Sequence, residues 1–422
     1  MTAIVAVLNK HGAAIAADSA VTMGNTHKVV NSANKIFTLS KYHPVAVMTY
    51  SNAAFMGVPW DIIIKEYRKE LGEKAFPFLK DYVDDFIRFL HFRHFFCAGI
   101  RFVKSCPNTQ RSFLRLQLDS FVNICRNEIF REKGMKPEEQ TSDVLVEKLQ
   151  ICMESNKQTL KCPEFDGYEY DAFKKIALAE VEDYAKLNGM DFQDVLCESF
   201  FYYLSASLNN SLGTGLVFVG YGESDIYPSL YPISVLFGID DHLRYFVDEN
   251  NIAIISEHGS SAVICPFAQV DVTQTIIRGI NPSFQDIIYN VIEESIKSFS
   301  KAITNKLDAD PSTATVSSAI KGLDINSVIR DITYQINREM RDTYTVPLLN
   351  TVVSLDKEDM ANMAESFISL TSLVRRMQPG EETVGGPVDV AVISKGDGFV
   401  WINRKHYFRP ELNAPFFNNY FK

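Results

Sequence analysis

Thr2 is the residue whose position first suggests chemistry, because it directly follows Met1. A residue this small makes Met1 a plausible substrate for methionine removal, which would leave a hydroxyl and a free α-amine on one residue. Such a residue is a nucleophile that carries its own general base. The α-amine of a peptide has a pKa of about 8, so part of it is unprotonated at neutral pH. The alternative is an ordinary strand threonine behind a retained Met1.

Several short motifs follow Thr2 in a recognisable order. They are the apolar run Ala3-Ile4-Val5-Ala6-Val7, the segment Ala17-Asp18-Ser19-Ala20-Val21-Thr22-Met23-Gly24-Asn25, the pair Asn34-Lys35 and the tetrapeptide Ser51-Asn52-Ala53-Ala54. In this order they resemble the opening of a proteasome β-subunit and of its bacterial ATP-dependent ring relative, which are N-terminal-nucleophile hydrolases. An ordered set of motifs is more specific than any one of them.

The resemblance implies roles for two residues beside the nucleophile. Lys35 is similar to the family lysine, whose positive charge disfavours protonation of the α-amine and stabilises the alkoxide as it forms. Asp18 would orient Lys35 and balance its charge. Without the resemblance, Lys35 is a solvated surface lysine and Asp18 is a turn residue at a strand end. Aligning Lys35 with the family lysine requires one inserted residue in the loop 26–33.

The resemblance also implies an oxyanion loop and an acidic loop. Tyr50-Ser51-Asn52 stands where the family usually has glycines, and the Ser51 amide would stabilise a tetrahedral oxyanion. The alternative for Ser51 is a simple helix N-cap. Glu381 matches the family's acidic position, as Glu for Asp, whereas Val384 stands where serine is usual and cannot form a side-chain hydrogen bond. The candidate positions for a further family serine are Gly259, Ser260 and Ser261.

Composition restricts the class of protein. The chain has 422 residues, 46% of them apolar, and a net charge of −10. That charge disfavours nucleic acid and anionic membranes as partners. The seven cysteines include no Cys-x-x-Cys pair, which favours buried thiols in a reducing, cytoplasmic compartment over disulfides or a zinc site. We predict neither a secretion signal nor a membrane span, since charged residues interrupt the most apolar stretch, 82–103.

Two weaker signals are discounted. His91, His94 and Cys97 are spaced along one helix face, but they lie among phenylalanines and have no convincing fourth ligand, so we predict no metal site. The pair Gly220-x-Gly222 lacks the third glycine and the following helix of a dinucleotide-binding loop, so we predict no cofactor.

Apolar periodicity predicts the secondary structure. The predicted strands are 3–9, 13–18, 36–39, 44–49, 216–222, 230–239, 243–247, 252–256 and 388–394. The predicted helices outside the middle of the chain are 53–71, capped by Ser51 or Asn52, then 267–279, 284–306, 323–341 and 355–377. The middle segment 73–211 has helical periodicity almost throughout, where the family has a short connection.

These patterns and the resemblance predict an α+β fold. Residues 1–72 and 212–422 would form a four-layer αββα sandwich of the N-terminal-nucleophile type, and 73–211 would be a large helical insertion. The resemblance itself covers roughly 1–72, 213–280 and 355–403. In a stacked-ring peptidase, helices at the position of the insertion join two rings. We therefore expect a monomer, dimer or single ring rather than a sealed double ring.

The leading functional hypothesis is a threonine-type peptidase or amidohydrolase that cleaves amide bonds in a peptide or protein substrate. A second hypothesis is a catalytically silent scaffold or sensor that acts through the helical insertion, and a third is a small-molecule amidase. A homo-oligomer or a regulatory partner on the insertion is compatible with the first two. Removal of Met1 distinguishes the enzyme from the silent scaffold.

Overall fold

The computed structural model describes residues 2–23, 28–92, 107–206, 213–240, 242–309, 311–322, 324–378, 384–406 and 408–415. The chain divides into two compact units. Unit 1 comprises Met1–Ala33, Ile254–Ser394 and Val400–Lys422, and unit 2 comprises Asn34–Ala253 and Lys395–Phe399. Each unit combines helices with antiparallel sheet, so the predicted α+β class is confirmed.

Unit 1 is organised on a five-stranded sheet with the order β13-β1-β2-β14-β15. Its elements, numbered along the whole chain, are β1 (Ala3–Asn9), β2 (Gly12–Ala17), β3 (Val21–Met23), β4 (Lys28–Val30), β13 (Ala262–Ala268), α7 (Asp271–Arg278), α8 (Pro282–Asp308), α9 (Ala314–Lys321), α10 (Ile325–Met340), α11 (Val346–Ser354), α12 (Lys357–Met377), β14 (Asp389–Ser394) and β15 (Gly398–Asn403). The first two residues of β15 belong to unit 2.

The core of unit 1 lies between this sheet and helix α12, which packs on β1, β2 and β14. Every residue of β1 and β2 is buried, as their almost continuous apolar sequence requires. Helix α12 begins where Asp356 caps it, since the Asp356 carboxylate accepts a hydrogen bond of 2.9 Å from the Asp359 amide. The predicted hairpin at the start of the chain and the predicted helix 355–377 are both confirmed.

Strand β13 is an element that the sequence pattern did not predict. It pairs with β1 along its whole length, from Ala3 opposite Ala268 to Asn9 opposite Ala262. Its sequence contains Pro266, which lacks an amide donor and so argues against a strand. The structure resolves this conflict by placing β13 at the edge of the sheet, where one side of the strand needs no ladder partner. The predicted helix 267–279 is therefore shorter than expected and begins at Asp271.

The helices between α7 and α12 carry little apolar core. Helix α8 has 27 residues, and its buried residues are the polar Gln285 and Thr304. Large apolar side chains remain exposed on α8, namely Phe284, Ile287, Val291 and Phe299. The helical periodicity predicted α8 and α10, but 312–319 was interpreted as a loop where α9 lies, and α11 was not predicted. The periodicity also did not show that the apolar face of α8 would lie at the surface.

Unit 2 contains the second sheet, whose main path has the order β11-β10-β9-β6-β5. Its elements are β5 (Ile36–Thr38), β6 (Val45–Tyr50), β7 (Ala54–Phe55), β8 (Val58–Pro59), α1 (Trp60–Leu71), α2 (Leu79–Phe92), α3 (Pro107–Lys133), α4 (Ser142–Lys157), α5 (Tyr170–Leu187), α6 (Gln193–Ser205), β9 (Thr214–Gly220), β10 (Ser229–Ile239) and β11 (His242–Val247). The short strand β12 (Ala253–Ile254) lies where the chain passes from unit 2 to unit 1.

Helix α1 begins later than predicted. The sequence pattern started this helix at residue 53 with Ser51 or Asn52 as its cap, but the structure starts it at Trp60 behind Pro59. The small hairpin of β7 and β8 occupies the intervening residues. Met56 and Gly57 form its turn with positive φ angles of 47° and 88°, which a helix does not contain.

The described residues of 73–206 form helices α2 to α6 and no strand, as the periodicity predicted. A short 3₁₀ turn at Pro163–Phe165 separates α4 from α5, where the sequence indicated a break. These helices share one core with the second sheet, since Phe86 of α2 packs edge-on against Phe218 of β9 at 5.4 Å between ring centroids. The predicted boundaries of the insertion stay a prediction, because a shared core does not show which segments fold alone.

Packing explains the glycine pair Gly220 and Gly222. A Cβ on Gly220 would lie 2.0 Å from the Pro44 carbonyl oxygen, and one on Gly222 would lie 2.3 Å from the Phe78 Cα. The Asp225 carboxylate connects the loop after Gly220 to helix α2, because it accepts hydrogen bonds from the amides of Gly222 (2.7 Å) and Leu79 (3.0 Å). Glycines are therefore required here for close backbone approach. No helix in the described part of the chain is long and apolar enough to cross a membrane.

Candidate active site

The peptide group that follows Thr2 is fixed from both sides in unit 1. The Thr2 carbonyl accepts a hydrogen bond of 3.2 Å from the Gln269 amide. The Ala3 amide, at the other end of the same peptide group, donates to Asp18 Oδ1 at 2.9 Å. Thr2 itself is only 5% exposed. The backbone beside the candidate nucleophile is thus held in one orientation by two partners that are remote in sequence.

The Asp18 carboxylate joins three segments of unit 1. In addition to the Ala3 amide, its Oδ2 accepts hydrogen bonds from the amides of Ala20 (3.0 Å) and Gly385 (3.3 Å). Asp18 is 1% exposed. Asp18 directly follows β2, and its bond to the Ala20 amide is typical of a turn residue, whereas its bonds to the Ala3 and Gly385 amides reach two other segments. The described contacts give Asp18 a definite task, which is to fix the start of β1 against the loop at Gly385.

The neighbouring serine strengthens the same junction. The Ser19 amide donates to the Gly385 carbonyl at 3.0 Å, and the Ser19 hydroxyl donates to the Pro387 carbonyl. Gly386 has a φ of 76°, and a Cβ at this position would lie 2.7 Å from the Asn31 Cβ. The loop at Gly385 and Gly386 is therefore packed against the segment that carries Asp18 and Ser19, and glycine is required at Gly386.

Removal of the Asp18 carboxylate is expected to destabilise unit 1. In Asp18→Asn, the amide group cannot accept at both oxygen positions, so at least one buried backbone donor loses its partner. We expect a loss of about 1–3 kcal/mol in the free energy of unfolding, and a larger loss for Asp18→Ala. Differential scanning calorimetry measures the loss, and hydrogen exchange at the Ala3 amide locates it. Asp286→Asn, at an exposed position on α8, is the control and should unfold like the wild type.

An unchanged melting temperature for Asp18→Asn, with Ala3 still protected from exchange, would contradict this account of Asp18.

Gln269 is a neighbour of Thr2 that the sequence analysis missed, and Arg375 contacts Gln269. Ala268, with a φ of 66°, turns the chain at the end of β13 so that Gln269 follows beside Thr2. The Arg375 guanidinium donates to the side chains of Gln269 and Asp271 and, at 2.8 Å, to Gln378. Arg375 lies in the last turn of α12. Recognition of β13 and its pairing with β1 would have been the signal for Gln269.

The candidate positions for a further family serine lie at the wrong end of the sheet. Gly259, Ser260 and Ser261 precede β13, whose first residue, Ala262, is opposite Asn9. Thr2 lies beyond the other end of β1, about 20 Å away along the strand. The structure therefore separates these residues from Thr2, and Gln269 takes the place beside it. The error arose because the strand between the two positions was not predicted.

Lys35 belongs to unit 2, where it directly precedes β5. Its carbonyl accepts a hydrogen bond of 2.8 Å from the Thr49 amide, and the residue is 4% exposed. A solvated surface lysine, which was the alternative reading, is incompatible with this burial. A lysine is rarely buried unless other groups compensate its charge, so the environment of Lys35 is unusual for this residue type.

The Tyr50-Ser51-Asn52 loop, also in unit 2, has a defined shape. The Tyr50 ring lies directly on Gly215 of the neighbouring strand, since a Cβ there would be 2.0 Å from Tyr50 Cζ. The Asn52 carbonyl accepts from the Thr214 hydroxyl at 3.2 Å, and this hydroxyl accepts from the Trp60 indole at 2.8 Å. Ser51 is exposed and has a φ of 70°. This left-handed conformation favours glycine, which is the residue usual here in the resembled family.

Of the acidic loop, Glu381 lies outside the described residues. Val384 is fully buried in the core of unit 1, and its carbonyl accepts a hydrogen bond of 3.3 Å from the Ser372 hydroxyl. Its apolar side chain is therefore used for packing. Like Glu381, two residues of the discounted metal signal, His94 and Cys97, lie outside the described residues. Among the described residues, no group of three or more His, Cys, Asp or Glu side chains is arranged to hold a metal ion.

Comparison with known proteins adds little to this geometry. No protein-family model matches the chain, and no curated protein matches it. Three structures found by structural comparison are Anbu from Hyphomicrobium sp. strain MC1, a Gly-1 mutant of the Hyphomicrobium protein, and Anbu (ancestral beta-subunit) from Yersinia bercovieri. Their sequence identities are 7%, 8% and 8%, and their TM-scores are 0.30, 0.29 and 0.25.

The alignments with the Hyphomicrobium and Yersinia proteins each cover 99% of this chain and 94% of the aligned structure's chain. The alignment with the Gly-1 mutant covers 100% of this chain and 95% of the mutant's chain. At TM-scores this low, we base no argument on these similarities.

Proposed function

We propose that the protein is a threonine-type N-terminal-nucleophile amidohydrolase that acts on a peptide or protein substrate. The observation that carries the proposal is the fixation of the Thr2–Ala3 peptide group between Gln269 and Asp18. A nucleophile on a chain terminus needs such fixation, because terminal residues are otherwise poorly ordered. The proposal includes the αββα arrangement of the two sheets and a cytoplasmic location.

In the proposed reaction, Thr2 Oγ attacks an amide carbonyl after Met1 has been removed. The Thr2 α-amine, through a water molecule, takes the hydroxyl proton and later gives it to the leaving amine. Lys35 stabilises the negative charge that develops, and Glu381 belongs to the loop that completes the site. The Ser51 amide donates to the oxyanion, and the left-handed conformation of Ser51 supports this role because it matches the backbone that glycine usually supplies.

A second candidate function is a catalytically silent scaffold or sensor that acts through α2 to α6, as part of a homo-oligomer or with a regulatory partner. The specific observation in its favour is Val384, whose buried side chain stands where the family has a hydrogen-bonding serine. Without a hydroxyl, this position cannot supply the side-chain hydrogen bond that the family has there. The two candidates differ in whether a free Thr2 amine exists and reacts.

Intact-mass analysis and covalent labelling test the proposal directly. An epoxyketone reacts with a hydroxyl and an α-amine on the same residue, so it reports a processed N-terminal threonine. We expect a mature mass lower by one methionine residue and a single label at Thr2, which a β-lactone competitor prevents. A chain that keeps Met1 and takes no label would overturn the proposal and favour the silent scaffold.

A further inference from the structure

Two cysteines face each other across helices α3 and α4. The Cys125 thiol, fully buried on α3, donates a hydrogen bond to the Cys152 sulphur on α4 at 3.9 Å. Cys152 is only partly buried. Both helices belong to unit 2, so the pair lies within one compact unit. The geometry therefore combines one accessible sulphur with a second sulphur close behind it.

Three charged side chains lie near Cys152, and of these Lys148 favours the thiolate whereas Glu128 and Glu132 oppose it. The Cys152 thiol donates a hydrogen bond of 3.9 Å to Glu128 Oε2. Lys148 lies one helical turn before Cys152, is 9% exposed at its side chain, and pairs with Glu128 at 2.9 Å and Glu132 at 2.8 Å. A cation fixed beside a sulphur stabilises the thiolate.

The surroundings shift the pKa values of the two thiols in opposite directions. The hydrogen bond from Cys125 is the largest cause that lowers the pKa of Cys152, and Lys148 adds to it against burial and the two glutamates. The same hydrogen bond and burial raise the pKa of Cys125. By contrast, burial raises the pKa of Cys197 to about 11 and that of Cys265 to about 12. Cys152 is thus distinguished from these other thiols.

We propose that Cys152 is a peroxide-reactive cysteine and that Cys125 resolves it into a reversible disulfide between α3 and α4. The Cys152 thiolate attacks one oxygen of hydrogen peroxide, the O–O bond breaks, and a sulfenic acid and hydroxide form. The Cys125 sulphur then attacks the Cys152 sulphur, the S–O bond breaks, and the hydroxyl leaves as water with the Cys125 proton. In sum, two thiols and one peroxide give one disulfide and two waters, with sulphur oxidised and peroxide reduced.

The two sulphurs are already close enough that little movement is needed to form the disulfide. The two sulphurs must approach by roughly 2 Å to reach the length of a disulfide bond. The bond would close the loop of residues 125–152 and restrain α3 against α4. Oxidation should therefore raise the melting temperature of the folded protein, and reduction with dithiothreitol should reverse the rise.

Titration of the reduced full-length protein with hydrogen peroxide tests the proposal. We expect loss of two thiols, a mass lower by two hydrogens, and the Cys125–Cys152 disulfide in non-reducing peptide maps. In Cys125→Ser, the sulfenic acid on Cys152 should persist and be trapped by dimedone. Iodoacetamide should alkylate Cys152 at least about tenfold faster than Cys197 at pH 7 in the wild type. Cys197→Ser is the matched control and should still form the disulfide.

A disulfide between other cysteines, or alkylation of Cys152 no faster than that of Cys197, would overturn the proposal. Lys148→Met should slow alkylation of Cys152, and Lys148→Arg should largely restore it, whereas a purely structural lysine would affect neither rate. The peptide map and the alkylation rates use the wild type, so they decide the question even if a variant does not fold. The outcome is independent of Thr2 and of the proposed hydrolase activity.

Discussion

Thr2→Ala is expected to abolish amide hydrolysis and covalent labelling while the fold remains intact. The substitution removes the attacking oxygen but keeps the α-amine and leaves a second residue small enough for Met1 removal. We expect the rate to fall by a factor of about 10³ or more, since loss of a catalytic nucleophile removes the covalent pathway. The measurements are hydrolysis of a fluorogenic peptide and epoxyketone labelling, with intact mass to verify processing.

The structure explains why the fold should tolerate this change. The contacts that fix the start of β1 are formed by the Thr2 carbonyl and the Ala3 amide, which the alanine variant retains. Thr2→Ser is the matched control, because it keeps both the hydroxyl and the α-amine, and it should retain activity within about tenfold. Turnover by Thr2→Ala equal to that of the wild type would show that another residue is the nucleophile.

The sequence predicted best the parts of the fold whose signals are local. The apolar runs of β1 and β2 and the turn between them appear as expected. Helix α12 has a capping aspartate, an acidic first turn and a basic last turn, and it spans nearly the predicted range 355–377. These signals depend on a few adjacent residues and on the helix dipole, so tertiary contacts do not change them.

The parts that were predicted wrongly depend on contacts between distant segments. Strand β13 contains Pro266 and forms only because β1 offers a complementary edge over its whole length. Without β13, the position of Gln269 beside Thr2 was not visible, and Ser260 and Ser261 were wrongly considered for that place. The start of α1 was wrong for a local reason instead, because the β7–β8 hairpin precedes Trp60 and its turn residues Met56 and Gly57 have positive φ angles.

Burial is the second kind of information that the sequence lacked. Lysine and aspartate side chains are usually solvated, yet Lys35 is 4% and Asp18 is 1% exposed. The motif register suggested a function for both residues, but it did not show that either would be buried. The exposed apolar stripe of α8 is the converse case, since helical periodicity shows that a helix has an apolar face but not what covers it.

Lys35→Ala is expected to lower the rate of hydrolysis by about 10²–10³-fold, because it removes a positive charge that stabilises the developing oxyanion. Lys35→Arg should restore little of this activity, since a planar guanidinium does not replace a compact ammonium group in a buried site. Lys35→Met keeps most of the side-chain volume and separates the loss of charge from the loss of packing. The measurements are kcat and KM with a peptide substrate and the melting temperature of each variant.

The pH profile provides a readout that a purely structural lysine would not change. In the proposed reaction, the Lys35 cation disfavours protonation of the Thr2 α-amine, and hydrolysis requires the unprotonated amine. Without the cation, the amine should hold its proton up to higher pH, so we expect the acid limb of the kcat profile to move to higher pH in Lys35→Met.

Lys395 is the matched control in unit 2, because its ammonium donates to the carbonyls of Gly222 at 2.7 Å and Glu223 at 2.9 Å. Lys395→Ala should reduce stability and leave the pH profile in place. If Lys35→Met hydrolysed the substrate as fast as the wild type with the same acid limb, Lys35 would have no part in the reaction.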